Sequence, residues 1–92
     1  MSEIPSRKVY EDGELIAFHD VNPAAPVHFM IVPKEHINSL EDCHARHEML
    51  LGRILLLAPI FAKEQGLNDG FKTVINTGRG GGQVVFHLHV HV

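Results

Sequence analysis

The chain has 92 residues, a formal net charge of −3 and a single cysteine, so we expect one domain spanning residues 1–92. Lys and Arg are not clustered, which argues against nucleic acid as a partner, and the most apolar stretch, residues 50–62, is too short to cross a membrane. A lone thiol and an N-terminus without an apolar leader favour the cytoplasm. A domain this small needs a metal or a partner subunit for stability, and we expect a partner subunit.

Short strands and turns are predicted for the first third of the chain. Residues 8–11 and 14–19 predict two strands, joined by the Asp-Gly hairpin turn at 12–13. Two prolines stiffen a loop at 22–26. The β-branched and aromatic residues of 28–32 predict a third strand, antiparallel to the second.

A helix is predicted next, because apolar residues recur at helical spacing and form one stripe. The stripe consists of Leu50, Ile54, Leu57 and Phe61. Asp42 is the expected N-cap, and Gly66 is the expected stop at the C-terminal end. Pro59 predicts a kink or a weakened turn inside the helix.

The last third of the chain predicts two more strands, at residues 71–75 and 83–92. Between them, residues 77–82 contain four glycines, too flexible a composition for regular structure. The order of elements predicts an α+β domain with a five-stranded antiparallel sheet. One main helix, with at most one further short helix, would cover one face of that sheet.

Three of the eight histidines alternate with apolar residues in the last predicted strand. Because successive side chains of a strand point to opposite faces, His87, His89 and His91 form a row with neighbours ~7 Å apart. The other face is apolar and would pack on the helix; it carries Phe86, Leu88, Val90 and Val92. This is the pattern of a half-buried strand.

The sequence leaves three explanations of the histidine row open. A solvent-facing polar row is usually built from Thr, Lys, Glu or Ser, so chance is a poor explanation. His-x-His can bind zinc, but the row is too spread for one tetrahedral ion, and we expect no metal. Nucleophilic and acid–base chemistry fits best, because imidazole titrates near pH ~6.5 and can attack or stabilise phosphorus. The glycine-rich residues 78–82, directly before the row, would let backbone amides approach phosphate oxygens.

The end of the chain, Gly-Gly-Gln-Val-Val-Phe-His-Leu-His-Val-His-Val, resembles the histidine-triad (HIT) signature, in which three histidines alternate with apolar residues. An upstream segment is similar to the Hint branch, the histidine-triad nucleotide-binding proteins. This segment includes His-Asp-Val-Asn-Pro-Ala-Ala-Pro-Val-His-Phe-Met-Ile-Val-Pro-Lys-Glu-His-Ile. The resemblance covers nearly the whole chain.

The resemblance implies a homodimer with one sheet continuing across both protomers, each binding a purine nucleotide such as an AMP or GMP derivative, and no cofactor. It implies hydrolysis of the P–N bond of purine nucleoside phosphoramidates, for example adenosine 5′-monophosphoramidate, and of some acyl-nucleotides. His89, the middle histidine, would attack the α-phosphorus, release the amine and form a nucleotidyl-histidine, which water then hydrolyses.

The same resemblance implies roles for the other residues of the site. His91 would contact the phosphate and the leaving group, His87 would orient the site, and His28 would complete a proton relay behind it. Asp20 would hold the ribose hydroxyls. The remaining candidates for nucleotide binding are Phe18 and Val21 at the base, Asn76 near the phosphate or ribose, and Gly82 and Gln83 at the phosphate.

Two departures from the family pattern favour an alternative function. Val84 stands where many relatives carry Ser, whose hydroxyl would contact phosphate, so turnover or leaving-group preference is expected to differ. The sequence also stops at Val92, one apolar residue short of the full motif, and losing the tail would remove the partner's share of the leaving-group pocket. The alternative is a nucleotide-binding regulatory or interaction module with weak or no catalysis.

A metal-dependent hydrolase is the third class, and a chelator would inactivate it. Some relatives also carry a Cys-x-x-Cys pair that holds structural zinc, and this chain lacks it.

Overall fold

Four strands form one antiparallel sheet in the computed structural model, which describes residues 7–92. They lie in the spatial order β1, β2, β3, β4, and a single α-helix, α1, accompanies them. The elements are β1 (Lys8–Glu11), β2 (Leu15–His19), β3 (Phe29–Pro33), α1 (Glu48–Glu64) and β4 (Val90–His91). The predicted α+β class, with an antiparallel sheet and one main helix, is confirmed.

Asp12 closes the predicted hairpin between β1 and β2. Its Oδ1 atom accepts the backbone N–H groups of Glu14 and Leu15, at 2.8 and 2.9 Å, so the carboxylate satisfies two turn amides at once. From this turn, β2 pairs with β1 on one side and, along its full length, with β3 on the other. The first three predicted strands are therefore confirmed to within one or two residues.

The core lies between α1 and one face of the sheet. Every second residue of β2 and β3 points to the helix, and β4 adds its own apolar side chains. The buried cluster contains Leu15, Ala17, Phe29, Ile31, Ile54, Ala58, Phe61, Ala62, Val90 and Val92. The predicted helix stripe is confirmed: Ile54 and Phe61 are buried, and Leu50 and Leu57 pack against the cluster.

The predicted N-cap at Asp42 is wrong. Asp42 ends a single 3-10 turn, Leu40–Asp42, and its carboxylate accepts a hydrogen bond from the Ser39 hydroxyl. The extended backbone of Cys43 interrupts the helical conformation there. A second 3-10 turn follows, Ala45–His47, and α1 begins only at Glu48. A short polar side chain before an apolar stripe predicts a helix start, but here it is used in a local turn instead.

The C-terminal end of α1 follows the prediction. Gly66 has a positive φ of 90° and donates to Lys63, while Leu67 donates to Ala62; together these bonds form a Schellman motif. The helix runs through Pro59, which lies on its exposed side. No helix within residues 7–92 is both long and apolar enough to cross a membrane.

The predicted five-stranded sheet is corrected to four strands. In residues 71–75 only Val74 pairs, exchanging both backbone hydrogen bonds with His91. The last strand is two residues long, because the chain before it bonds elsewhere: the N–H of Leu88 donates to Ile37, at 2.6 Å, in the loop after β3. Residues 83–89 are therefore held by loop and side-chain contacts, and pairing with β3 is confined to Val90, His91 and Val92, the last of which exchanges backbone hydrogen bonds with Phe29.

Candidate active site

The predicted alternation survives in residues 87–92, although only two of them belong to a strand. Leu88, Val90 and Val92 are buried, while the three histidines between them are half-buried. Phe86 breaks the pattern, because it is 46% exposed rather than packed in the core. The imidazole rings of His89 and His91 lie 4.8 Å apart, centroid to centroid.

The register of the sheet places His91 on the face that points away from α1. His91 pairs with Met30, which in turn pairs with Phe18, and paired residues of neighbouring strands share a face. Phe18 is buried but lies outside the helix-facing cluster. His91, Met30 and Phe18 therefore form a row across the sheet, and this face carries the candidate site.

His89 has a defined proton position. Its Nδ1 atom lies 2.7 Å from the backbone carbonyl oxygen of His87, and a carbonyl oxygen can only accept a hydrogen bond. The Nδ1 atom must therefore carry the proton and donate it. In the neutral ring this leaves the Nε2 atom with a free lone pair, the form a nucleophilic imidazole requires.

His28 and His91 form a hydrogen-bonded pair behind His89. The backbone N–H of Ala24 donates to Nδ1 of His28, at 3.0 Å, so the proton of the neutral His28 ring lies on Nε2. That Nε2–H donates in turn to Nδ1 of His91, at 2.9 Å. His91 consequently carries its own proton on Nε2, at the outer end of the chain.

Burial and neighbouring imidazoles lower the pKa of His91. Desolvation is the largest cause, and positive charge on His89 or His28 acts in the same direction, whereas the carboxylate of Asp20 opposes them. Asp20 lies 3.5 Å from Nε2 of His28 through its Oδ2 atom. Its other oxygen, Oδ1, accepts the backbone N–H of Asn22 at 2.8 Å, which anchors the loop after β2.

His87 contacts the sheet rather than the other two histidines. Its Nε2–H donates to the carbonyl oxygen of Pro33, at the end of β3, over 2.8 Å, and its ring meets His36 edge to face at 4.9 Å. The bond ties the chain before β4 to β3. His87 therefore positions the backbone carbonyl that orients His89.

Gln83 fixes the glycine-rich loop from the inside. Its side-chain oxygen accepts the N–H of Gly78 at 2.8 Å, and its side-chain nitrogen donates to the carbonyls of Asn38 and Val85. The side chain is 4% exposed. Both ends of the amide bind the backbone in this arrangement, and the contact between Gln83 and phosphate stays a prediction.

The remaining predicted residues lie around the same region. Val21, directly after Asp20, is exposed, and the backbone of Asn76 lies beside the glycine loop, where a Cβ on Gly81 would come within 3.9 Å of it. The loop contains one 3-10 turn, Arg79–Gly81, rather than being fully irregular as predicted. Gly82 follows in the left-handed region, with φ 85°, which glycine adopts without strain.

The backbone groups of the site could not be predicted from the sequence. The Ala24 amide and the His87 and Pro33 carbonyls set the proton positions of the histidines. Every residue has such groups, so no pattern of side chains marks them. The two prolines around Ala24 are the one sequence signal, because they indicate that the loop is restricted to few conformations.

One group of side chains in the site has the residue types of a metal centre. Asp20, His28 and His91 bring one side-chain atom each within 4.8 Å of one another, close enough to surround a zinc ion. The hydrogen bonds oppose this use: zinc at Nε2 of His28 would move the ring proton to Nδ1, where the Ala24 N–H already points. The three groups fit proton transfer better than metal binding.

Comparisons with known proteins agree with the fold and the triad. The family model of the HIT domain matches residues 1–92. Protein HitA of Neisseria gonorrhoeae is 57% identical over 90 residues, which cover 98% of this chain and 84% of that protein. A HIT family hydrolase from Legionella pneumophila Philadelphia 1 superimposes with a TM-score of 0.92 at 42% identity, covering 98% of this chain and 81% of that one. For the histidine triad nucleotide-binding protein from Candida albicans, the TM-score is 0.84 at 32% identity, covering 98% and 66%.

The sheet, the single main helix and the three alternating histidines place the molecule in the class of hydrolase-like histidine-triad proteins. The chain belongs to the HIT domain family.

Proposed function

We propose that the protein is a purine nucleoside 5′-phosphoramidate hydrolase of the Hint branch, acting through a nucleotidyl-histidine on His89. The hydrogen bond from Nδ1 of His89 to the His87 carbonyl carries this proposal, because it leaves the Nε2 lone pair free to attack. The similar chains from Legionella pneumophila and Candida albicans are described as a hydrolase and as a nucleotide-binding protein, which supports both halves of the proposal.

In the first step, Nε2 of His89 forms a bond to the α-phosphorus, and the P–N bond breaks with its electron pair on the amine nitrogen. The proton on Nε2 of His91 moves to that nitrogen, so the amine leaves neutral. The His28–His91 pair enters this step with one extra proton and ends it neutral. His89 becomes a cationic phosphoryl-imidazolium and keeps its Nδ1–H on the His87 carbonyl.

In the second step, water attacks the same phosphorus atom. Nε2 of His91, left without a proton by the first step, accepts the water proton, which restores the extra proton of the pair. The bond between phosphorus and Nε2 of His89 breaks, and its electron pair returns to the ring. The products are the nucleoside monophosphate and the amine, and the protein is back in its starting protonation state.

The nucleotide would lie on the sheet face that carries His91. Asp20 would accept hydrogen bonds from the ribose hydroxyls, because its Oδ2 atom makes only a 3.5 Å approach to His28. Phe18, near the end of β2, and Val21, two residues after it, would line the base. Asn76 and the backbone of Gly82 would contact the phosphate or ribose.

The proposal includes a homodimer, which is supported by exposed apolar side chains on the outer face of α1. Met49, Leu56 and Ile60 share one side of the helix and are at least half exposed. A second copy would cover this apolar side. The edge of the sheet beyond β4, where Val74 pairs with His91, would meet the same edge of the partner. Light scattering should give the mass of a dimer, and Leu56→Glu should convert it to monomer.

Hydrolysis of adenosine 5′-monophosphoramidate by wild-type protein and by His89→Ala tests the proposal. We expect His89→Ala to lower kcat at least about a thousandfold, because the nucleophile is removed, while the affinity for AMP changes only a few-fold. His44→Ala is the matched control: His44 is exposed and lies in the turns before α1, and its removal should leave turnover unchanged. The guanosine substrate and an acyl-adenylate, run beside it, define the preference.

Three other outcomes would contradict the proposal. Turnover by His89→Ala within tenfold of wild type would overturn the mechanism. Tight AMP binding by a wild-type protein that hydrolyses neither substrate would select the nucleotide-binding module. Activity lost to a chelator and restored by zinc would select a metal-dependent hydrolase.

A further inference from the structure

We propose that the backbone amide of Ala24 is a positioning group of this site: it holds the His28–His91 pair in its neutral form, and the pair takes up an extra proton only when the Ala24–His28 hydrogen bond breaks. The catalytic consequence rests on the proposed function. The proton positions themselves can be measured without any turnover.

In the neutral pair, both hydrogen bonds of the series Ala24–His28–His91 have a donor and an acceptor. The N–H of Ala24 meets a lone pair on Nδ1 of His28, at 3.0 Å. The N–H at Nε2 of His28 meets a lone pair on Nδ1 of His91, at 2.9 Å. Each contact has one donor and one acceptor, so all protons point outward, from the loop toward the site.

An extra proton cannot be added without breaking this order. If it binds to Nδ1 of His91, two N–H groups face each other across 2.9 Å. The conflict ends only if His28 moves its own proton from Nε2 to Nδ1, and that proton then faces the N–H of Ala24 at 3.0 Å. Only the second arrangement keeps the hydrogen bond between the two rings, with Nδ1–H of His91 donating to Nε2 of His28, and in it the Ala24–His28 hydrogen bond is the contact that gives way.

The loop around Ala24 is built to hold this amide in place. Pro23 and Pro26 restrict the backbone on both sides, and the loop is tied to Asp20 through the N–H of Asn22. Its ends are joined where the N–H of Asp20 donates to the carbonyl of His28. Withdrawal of the amide from His28 therefore requires movement of a stiffened segment.

Two other titratable side chains of the described residues face the pair. Asp20 favours a proton on the pair from 3.5 Å, and a charged His89 opposes it from a ring distance of 4.8 Å. Both remain in place when only the Ala24 amide is changed. An effect of removing that amide can therefore be separated from theirs.

The test is Ala24→Pro, which deletes the N–H donor, with Ala25→Pro as its matched control. The N–H of Ala25 makes no hydrogen bond within residues 7–92. Imidazole nitrogen NMR should find wild-type His28 protonated at Nε2. Titration should show the pKa of the pair raised by roughly half to one pH unit in Ala24→Pro, the equivalent of one hydrogen bond, and unchanged in Ala25→Pro. A wild-type His28 protonated at Nδ1, or equal pKa values in the two variants, would overturn the proposal.

A synthetic protein with an ester in place of the Ala24 amide answers the same question if Ala24→Pro does not fold. The ester removes the N–H and leaves every side chain unchanged. Its pair should titrate higher than that of wild type by the same amount. An unchanged titration would overturn the proposal as firmly as the proline result.

The pH dependence of kcat/KM provides a second measurement, and altered folding alone would not produce the expected change. The alkaline limb of kcat/KM should move upward in Ala24→Pro, because the pair keeps its extra proton to higher pH, while the acid limb stays in place. An adenosine phosphorofluoridate needs no proton on its leaving group. The alkaline limb of kcat/KM measured with this substrate should therefore be the same in Ala24→Pro and wild type. A shift equal to that seen with the phosphoramidate would overturn the assignment of the pair as the proton donor to the leaving group. If wild-type protein turns over neither substrate, the proposed function fails, and the NMR titration alone decides this inference.

Discussion

Replacing Gln83 with methionine separates a structural role from a phosphate contact. Gln83→Met keeps the length of the side chain but removes one acceptor and two donors, leaving the N–H of Gly78 and the carbonyls of Asn38 and Val85 without their partner. A net contribution of about 1 kcal/mol for each hydrogen bond predicts a loss of about 3 kcal/mol. Water cannot replace the lost bonds easily, because the side chain is 4% exposed.

Urea unfolding of the nucleotide-free protein measures this loss as a change in the free energy of unfolding. Gln65→Met is the matched control, since Gln65 caps α1 with its backbone, and it should change the free energy by no more than about 0.5 kcal/mol. A loss below about 1 kcal/mol for Gln83→Met, together with weaker AMP binding, would refute the structural role and restore the phosphate contact.

Three further predictions concern stability. Ile54→Ala, which empties a fully buried core position, should lower the free energy of unfolding by about 2–5 kcal/mol in urea; less than about 1 kcal/mol would contradict the described core. Gly82→Ala should cost about 1–2 kcal/mol more than Gly80→Ala in the same assay, because only Gly82 has a positive φ; equal losses would contradict the loop conformation. Thermal unfolding should give a Tm that falls in two stages as the pH is lowered. His91, with its lowered pKa, loses its contribution as the pH drops below about 6.5, and Glu11, whose pKa the Lys34 and Lys8 ammonium groups lower to about 2, loses its own below about 4. A Tm that is constant or rises toward acid pH would contradict both assignments.

The elements with strong periodicity could be predicted from the sequence. The Asp-Gly turn between two apolar runs specifies the first hairpin, and the apolar stripe specifies α1, because burial enforces both periods. Gly66 ended the helix as predicted, since a positive φ favours glycine. The alternation of residues 87–92 was also readable, because it reflects which side chains are buried.

Features set by competition between hydrogen-bond partners could not be predicted. Asp42 had the sequence of a helix cap but bonds to Ser39 in a separate turn. The stretch before β4 had the composition of a strand, yet the N–H of Leu88 bonds to Ile37 rather than to a neighbouring strand. The orientation of the histidines depends on backbone groups such as the Ala24 amide, which no residue type announces.

The central claim is that Nε2 of His89 attacks phosphorus, and a trapped intermediate tests it most directly. Wild-type protein would be mixed with a slowly hydrolysed adenosine phosphoramidate, quenched in denaturant within one turnover, digested and mapped by mass spectrometry. The account predicts a single adenylyl group on His89, linked through Nε2. Adenylation of a different residue, or steady turnover with no protein-bound nucleotide at any time point, would contradict it.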